Sequence, residues 1–176
     1  MYKSNIPQMP EYFDRYINLV GEFSLLDALH HYDAKWLTIH KNSFISLGNK
    51  VYEPEKWTVN DIIQHLIDSE RIFAYRALCF AREDATSLPA FDENSYAASA
   101  QSSKRTLDEL LEEFQSVRNA TITLFKSFSY DMMMRDGVCF QKRISVLAIG
   151  FLIVGHPIHH LDVIKERYFP LLNKKS

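Results

Sequence analysis

Glycine is scarce in this chain, at five of 176 residues, and no segment alternates apolar and polar residues as a half-buried strand does. The expectation that follows is an all-α fold. Cysteine is scarcer still: Cys79 and Cys139 stand alone and form no CxxC pair. Two thiols cannot build a disulfide framework, and a reducing, cytoplasmic setting is the simplest match. Long basic runs are also missing. Net charge is -2 with Lys and Arg spread thinly, which argues against nucleic acid as a partner. The paired Lys174 and Lys175 read as a solvated tail. The opening residues MYKSNIPQMPEYF show no basic-then-apolar signal pattern. The longest apolar run, around Phe151, meets His156 well short of the ~20 residues that a spanning helix needs, so no membrane partner is expected. What remains is a globular composition, 47% hydrophobic and 24% charged, of a length that fits one domain over residues 1–176.

Four long amphipathic helices account for most of that domain. After an irregular lead-in and a short turn within residues 11–20, the first helix is expected from Ser24 to Leu47. Its stripe is Leu25, Leu29, Tyr32, Trp36, Ile39 and Ser43. Thr58 with Asp61 approximates a capping box and starts a second helix that runs to about Glu83. Thr106 with Glu109 repeats the signal for a third, which presents Leu107 through Phe128. Ser145 is a plausible N-cap for the fourth, which ends near Tyr168 before Pro170. The connection 84–105 is turn-rich, and a link that long lets the helices it joins run parallel. Residues 129–143 form the last connection, with Gly137 as a turn and Met132–Met134 as packing. There is no internal repeat.

The fourth helix carries the chemistry. Val146, Ile149, Ile153, His156, His160 and Ile164 recur at three- and four-residue steps along one face. Residues four apart differ by roughly 40° in azimuth and about 6 Å in rise, so the two imidazoles can converge on one point. Paired His at that spacing is how a helix offers two nitrogen ligands to a metal. A lone His on an apolar stripe is ordinarily a hydrogen-bonded core residue, and seven His make an HxxxH pair unremarkable by itself. His159 lies about 60° from His156 on azimuth, and the stripe favours His160 over it. Gly155 and Pro157 predict a kink or break close by. On the second helix, Ile62, His65, Ser69 and Ile72 share a face, which adds a third imidazole from a different element. Three nitrogens with open positions is the layout of a catalytic centre and not of a structural one. His30, His31 and His40 have no spaced partner and read as surface or boundary residues.

The words KWTVNDIIQHLIDSERIFAYRAL at 56–78, PAFDENSY at 89–96 and GHPIHHLDVIKERY at 155–168 resemble the DinB/YfiT-like superfamily of metal-binding four-helix bundles. The resemblance covers most of the chain. It implies an up-down-down-up bundle and a divalent metal, zinc or nickel, on His65, His156 and His160. It also implies a homodimer, and it places His159 outside the usual ligand set. The activities it implies for a small-molecule substrate are thiol S-transfer with a low-molecular-weight thiol, metal-dependent hydrolysis, or metal binding without turnover. Asp68, about 60° from His65, is the nearest carboxylate for a base or an orienting group. A surface pairing with Arg71 or Arg76 is the plainer role for it. Glu70 either serves in the same way or caps a packing layer, and Phe91, Asp92, Glu93 and Asn94 either close over the site or tie down the long loop.

Overall fold

Side-chain caps set the starts of the long helices where the sequence places them. In the computed structural model, which describes residues 1–84 and 86–173, Thr58 Oγ1 accepts from the Asp61 amide at 3.2 Å. The Asp61 carboxylate accepts from the Thr58 amide at 2.8 Å in return, and α5 (Val59–Ala81) follows. Thr106 and Glu109 repeat this reciprocal arrangement at the start of α7 (Leu107–Lys126). Ser145 accepts from the Ala148 amide at 3.2 Å ahead of α9 (Val146–Val163). Each such cap satisfies amides that the first helical turn leaves unpaired. The Lys174–Lys175 tail lies outside the described residues.

The expected first helix is not continuous. It is divided into α2 (Leu25–His31), α3 (Ala34–Thr38) and α4 (Lys41–Leu47), which follow the short α1 (Asp14–Ile17). Tyr32 leaves helical geometry, and the Asp33 side chain accepts from the amides of Lys35 and Trp36. An Asp that bonds forward to the backbone offers the chain an alternative to the helix, and here it starts a new one. The break rotates the apolar stripe, so Ile39 is 76% exposed where a continuous helix would bury it.

Both long connections contain structure. Asp92 caps α6 (Glu93–Ala100) within residues 84–105. Between α7 and α9 lie α8 (Tyr130–Met134) and an antiparallel hairpin of β1 (Asp136–Cys139) and β2 (Lys142–Ser145). Its turn residues Phe140 and Gln141 have φ of 52° and 58°, where Asn and Gly are usual, so the sequence carries no hairpin signal there. Gly137 is a strand residue and not the turn. A Cβ at that position would collide with the Phe80 ring.

The four arms, α2–α4, α5, α7 and α9, form an up-down-down-up four-helix bundle. Its apolar interior falls into two clusters. One joins Phe73, Ala77 and Phe80 of α5 to Ile122 and Phe125 of α7 and to Val146–Val154 of α9. The other joins Ile62–Ile67 of α5 to Leu110–Val117 of α7 and to Leu161 of α9. Between them each long helix contributes buried polar side chains: His65, Ser69 and Glu70 on α5, Arg118 and Thr121 on α7, His156 on α9. This polar layer crosses the middle of the bundle and holds the three histidines. The segment Val146–Leu172 is long and apolar enough by composition to cross a membrane, but 72% of its most apolar window is buried inside the bundle.

Candidate metal centre

His65 points into the polar layer from α5, and His156 and His160 meet it from successive turns of α9. His65 Nε2 lies 3.2 Å from His156 Nε2, and His160 Nε2 lies 3.1 Å from the same atom. A neutral imidazole nitrogen has either one proton or one lone pair, so His156 Nε2 can complete one hydrogen bond and not two. A cation at the centre satisfies all three nitrogens. Two nitrogens 3.1–3.2 Å apart, each ~2.0–2.1 Å from one ion, subtend about 100° there, between the octahedral and tetrahedral values. The donor set therefore suits a divalent ion, with coordination positions left over.

Electrostatics keep these imidazoles in the ligating form. Burial pulls the pKa of His65 down to about 4. His160 is pulled down to about 3 by burial, helped by the neighbouring His65 and His159. His156 is lowered well below the ordinary value, again by burial first and then by His160 and His65. All three are neutral near pH 7, as ligation requires.

Surrounding groups fix the ring orientations. The Ser69 hydroxyl lies 3.4 Å from His65 Nδ1, one helical turn away, and turns Nε2 toward the centre. Trp57 packs on His65 with ring centroids 4.8 Å apart, and Phe73 stands edge-on to His156 at 5.8 Å. Tyr16, from the N-terminal segment, contacts both His156 and His159 edge-on. Its approach depends on Gly155, because a Cβ there would occupy the place of the Tyr16 carbonyl. The expected break at Pro157 does not occur: α9 remains helical to Val163 and turns into a single π turn over Ile164–Tyr168. Gly155 serves close packing between segments.

Asp68 is not brought to the trio. It accepts from Gln64 Nε2 at 3.0 Å and lines a separate cleft with Arg71, Ser95 and Arg105. Burial raises its pKa. Glu70 is fully engaged elsewhere, since Arg118 donates to both of its oxygens at 2.9 and 2.8 Å. His159 is half-buried beside His160, their centroids 5.1 Å apart, and it lines a cavity without joining the three converging nitrogens. Sequence reasoning placed Ser69 on the face of His65 without giving it a task, and no periodic signal marks Tyr16 or the Glu70–Arg118 pair.

Two cavities meet at the trio. His65 and His156 line the smaller, of about 310 Å³, whose walls include Tyr16, Phe73, Phe91, Asp92 and Glu93. His160 lines the larger, of about 900 Å³, with Tyr52, Trp57, Ser102 and Tyr168. Asn94 lines both cavities, and Phe91, Asp92 and Glu93 line the smaller one.

Comparison with known proteins agrees with this architecture. Among solved structures the chain resembles YfiT from Bacillus subtilis, with a TM-score of 0.68 and 18% identity over 92% of this chain and 88% of that one. That protein is described as a probable metal-dependent hydrolase with an unusual four-helix bundle topology. No curated protein matches the chain. The family model of the DinB superfamily matches residues 20–164, which takes in all three imidazoles and all four bundle arms, and the chain belongs to the DinB superfamily.

Proposed function

We propose that this protein is a metal-dependent S-transferase that joins a low-molecular-weight thiol to a small electrophile. The observation that carries this reading is the position of the three imidazoles between two cavities, one for each reactant. A divalent ion held by His65, His156 and His160 would supply Lewis acidity, bringing a thiol of ordinary pKa ~8.5 into its reactive form near neutral pH. The chain's own groups do the rest. Neutral imidazoles leave the charge of the ion undiminished, and Ser69 holds His65 in the orientation that ligation needs. Tyr16 and Phe73 give the smaller cavity an aromatic wall on which an electrophile can lie beside the histidines. A second copy of the chain is the protein partner that the family resemblance implies.

Hydrolysis is the second reading. It is favoured by the description of the structurally similar protein and by Glu93, an exposed carboxylate on the wall of the smaller cavity that could position a water. Cobalt-substituted protein titrated with bacillithiol, mycothiol, glutathione and cysteine separates the two. A sulfur-to-cobalt charge-transfer band, with conjugation of an electrophile lost in His65→Ala, is the expected result. Cleavage of an ester or amide panel with no thiol effect on the cobalt spectrum would overturn the transferase. Silence in both assays would leave a binding module without turnover.

A further inference from the structure

The smaller cavity has walls that mix aromatic side chains with the exposed carboxylates of Asp92 and Glu93, and among them one charged side chain, Arg76, is buried. Arg76 lies on the face of α5 that carries His65, Ser69 and Phe73, three turns beyond His65, and is 4% exposed. An arginine keeps its charge throughout the working pH range, and a buried charge without an opposite one is costly. Among the described residues no carboxylate lies within ion-pair distance of Arg76, and its single hydrogen bond runs from Nη2 to the Pro89 carbonyl at 2.8 Å. Glu70, the buried carboxylate on the same helix, is taken by Arg118. Asp92, on the cavity wall, accepts from the amides of Asn94 and Ser95.

The guanidinium donors left over open onto space. No fully buried side-chain nitrogen goes unpaired among the described residues, and the cavity is the space that Arg76 lines. The orientation relative to the metal centre is also defined. Phe73 stands between the two, its ring centroid 5.9 Å from the Arg76 guanidinium carbon and 5.8 Å from the His156 ring. Side chains on a helix lean toward its N-terminus, so Arg76 reaches back in the direction of His65. The cavity thus has a cation set apart from the imidazoles, with aromatic surface in between. That is the complement of a small molecule with an anionic end and an apolar body.

Resting on the reading of this cavity as a substrate site, we propose that Arg76 makes the protein selective for a carboxylate-bearing substrate. The carboxylate pairs with the guanidinium, the apolar body lies along Phe73, and the reactive end faces the histidines. The guanidinium fork matches a carboxylate bidentately, which sets orientation as well as affinity. In a cavity of about 310 Å³ the substrate is a small acid and not a peptide or a lipid.

The test compares 4-phenylbutyrate with its neutral amide by calorimetry on the metal-loaded full-length protein, and again after chelation. The acid is expected to bind at least about tenfold more tightly, the worth of one charge-assisted pair. Arg76→Gln should abolish that preference, and Arg76→Lys should retain part of it. Equal binding of acid and amide by the unaltered protein, or no binding of the acid at millimolar concentration, would overturn the proposal. So would a preference that persists in folded Arg76→Gln, because the carboxylate would then sit on the metal. The comparison on the unaltered protein decides even if Arg76→Gln fails to fold. Neither measurement uses turnover, so thiol transfer can fail while the acid preference stands, and the reverse.

Discussion

Arg118 grips both carboxylate oxygens of Glu70 at the centre of the bundle, and the two side chains are 0% and 3% exposed. The remaining Arg118 nitrogen donates to the carbonyls of Leu29 and Tyr32, where α2 ends. One side chain on α7 thereby fixes α5 and the broken first arm together, in the same layer that holds the histidines. The pair orders the bundle around the metal centre without touching it, since neither residue hydrogen-bonds to His65, His156 or His160.

That arrangement predicts a stability defect with little metal defect. Arg118→Ala leaves a carboxylate and two carbonyls buried without their donor. Urea unfolding should show a loss of about 3–5 kcal/mol, while the folded fraction keeps its metal. A loss below about 1 kcal/mol would mean that the layer tolerates the unpaired charge.

The proposed ligand set predicts the opposite pattern. His65→Ala, His156→Ala or His160→Ala should each sharply lower metal content, measured by elemental analysis of protein purified without an affinity tag. His159→Ala should lower it less, because that ring stands beside the three converging nitrogens. Loss of metal in His159→Ala with retention in His160→Ala would reassign the ligands.

Acid should weaken the metal-free protein through these same imidazoles. Their folded pKa values lie below the ordinary value, so the unfolded chain takes up protons first as pH falls. The stability they permit is complete above pH ~6.5 and declines below it, and the loss levels off for His65 near pH 4 and for His160 near pH 3. Between those limits each contributes a slope of about 1.4 kcal/mol per pH unit. Urea midpoints of chelated protein should therefore fall from pH 7 to pH 5. Equal midpoints would show that the folded chain takes up protons at these histidines as readily as the unfolded chain does.

Removing the metal should not unfold the chain. Two apolar clusters flank the polar layer, and each spans α5, α7 and α9 without using the trio. Burial at ~25 cal/mol per Å² in both is of the order needed to offset chain entropy. Helical circular dichroism should survive chelator treatment, and its loss would make the metal a structural staple.

Helix starts and the pairing of His156 with His160 were legible because they are local. A capping box spans three residues, and an HxxxH pair spans one helical turn. Periodicity likewise placed His65 and Ser69 on one face. The break of the first arm was written locally too, in the forward bonds of Asp33, yet the apolar stripe masked it. The hairpin carried no signal, because Phe140 and Gln141 hold left-handed conformations that turn statistics reserve for other residues.

The sequence by itself determined that four amphipathic arms must pack together, and which histidines share a helix face. Only the tertiary structure decided that His65 meets His156 across 91 residues, that Glu70 belongs to Arg118, and that Asp68 faces another cleft. Helical periodicity sets azimuth along one element. The rotation and depth at which separate helices meet are set by packing, down to a single missing Cβ at Gly155.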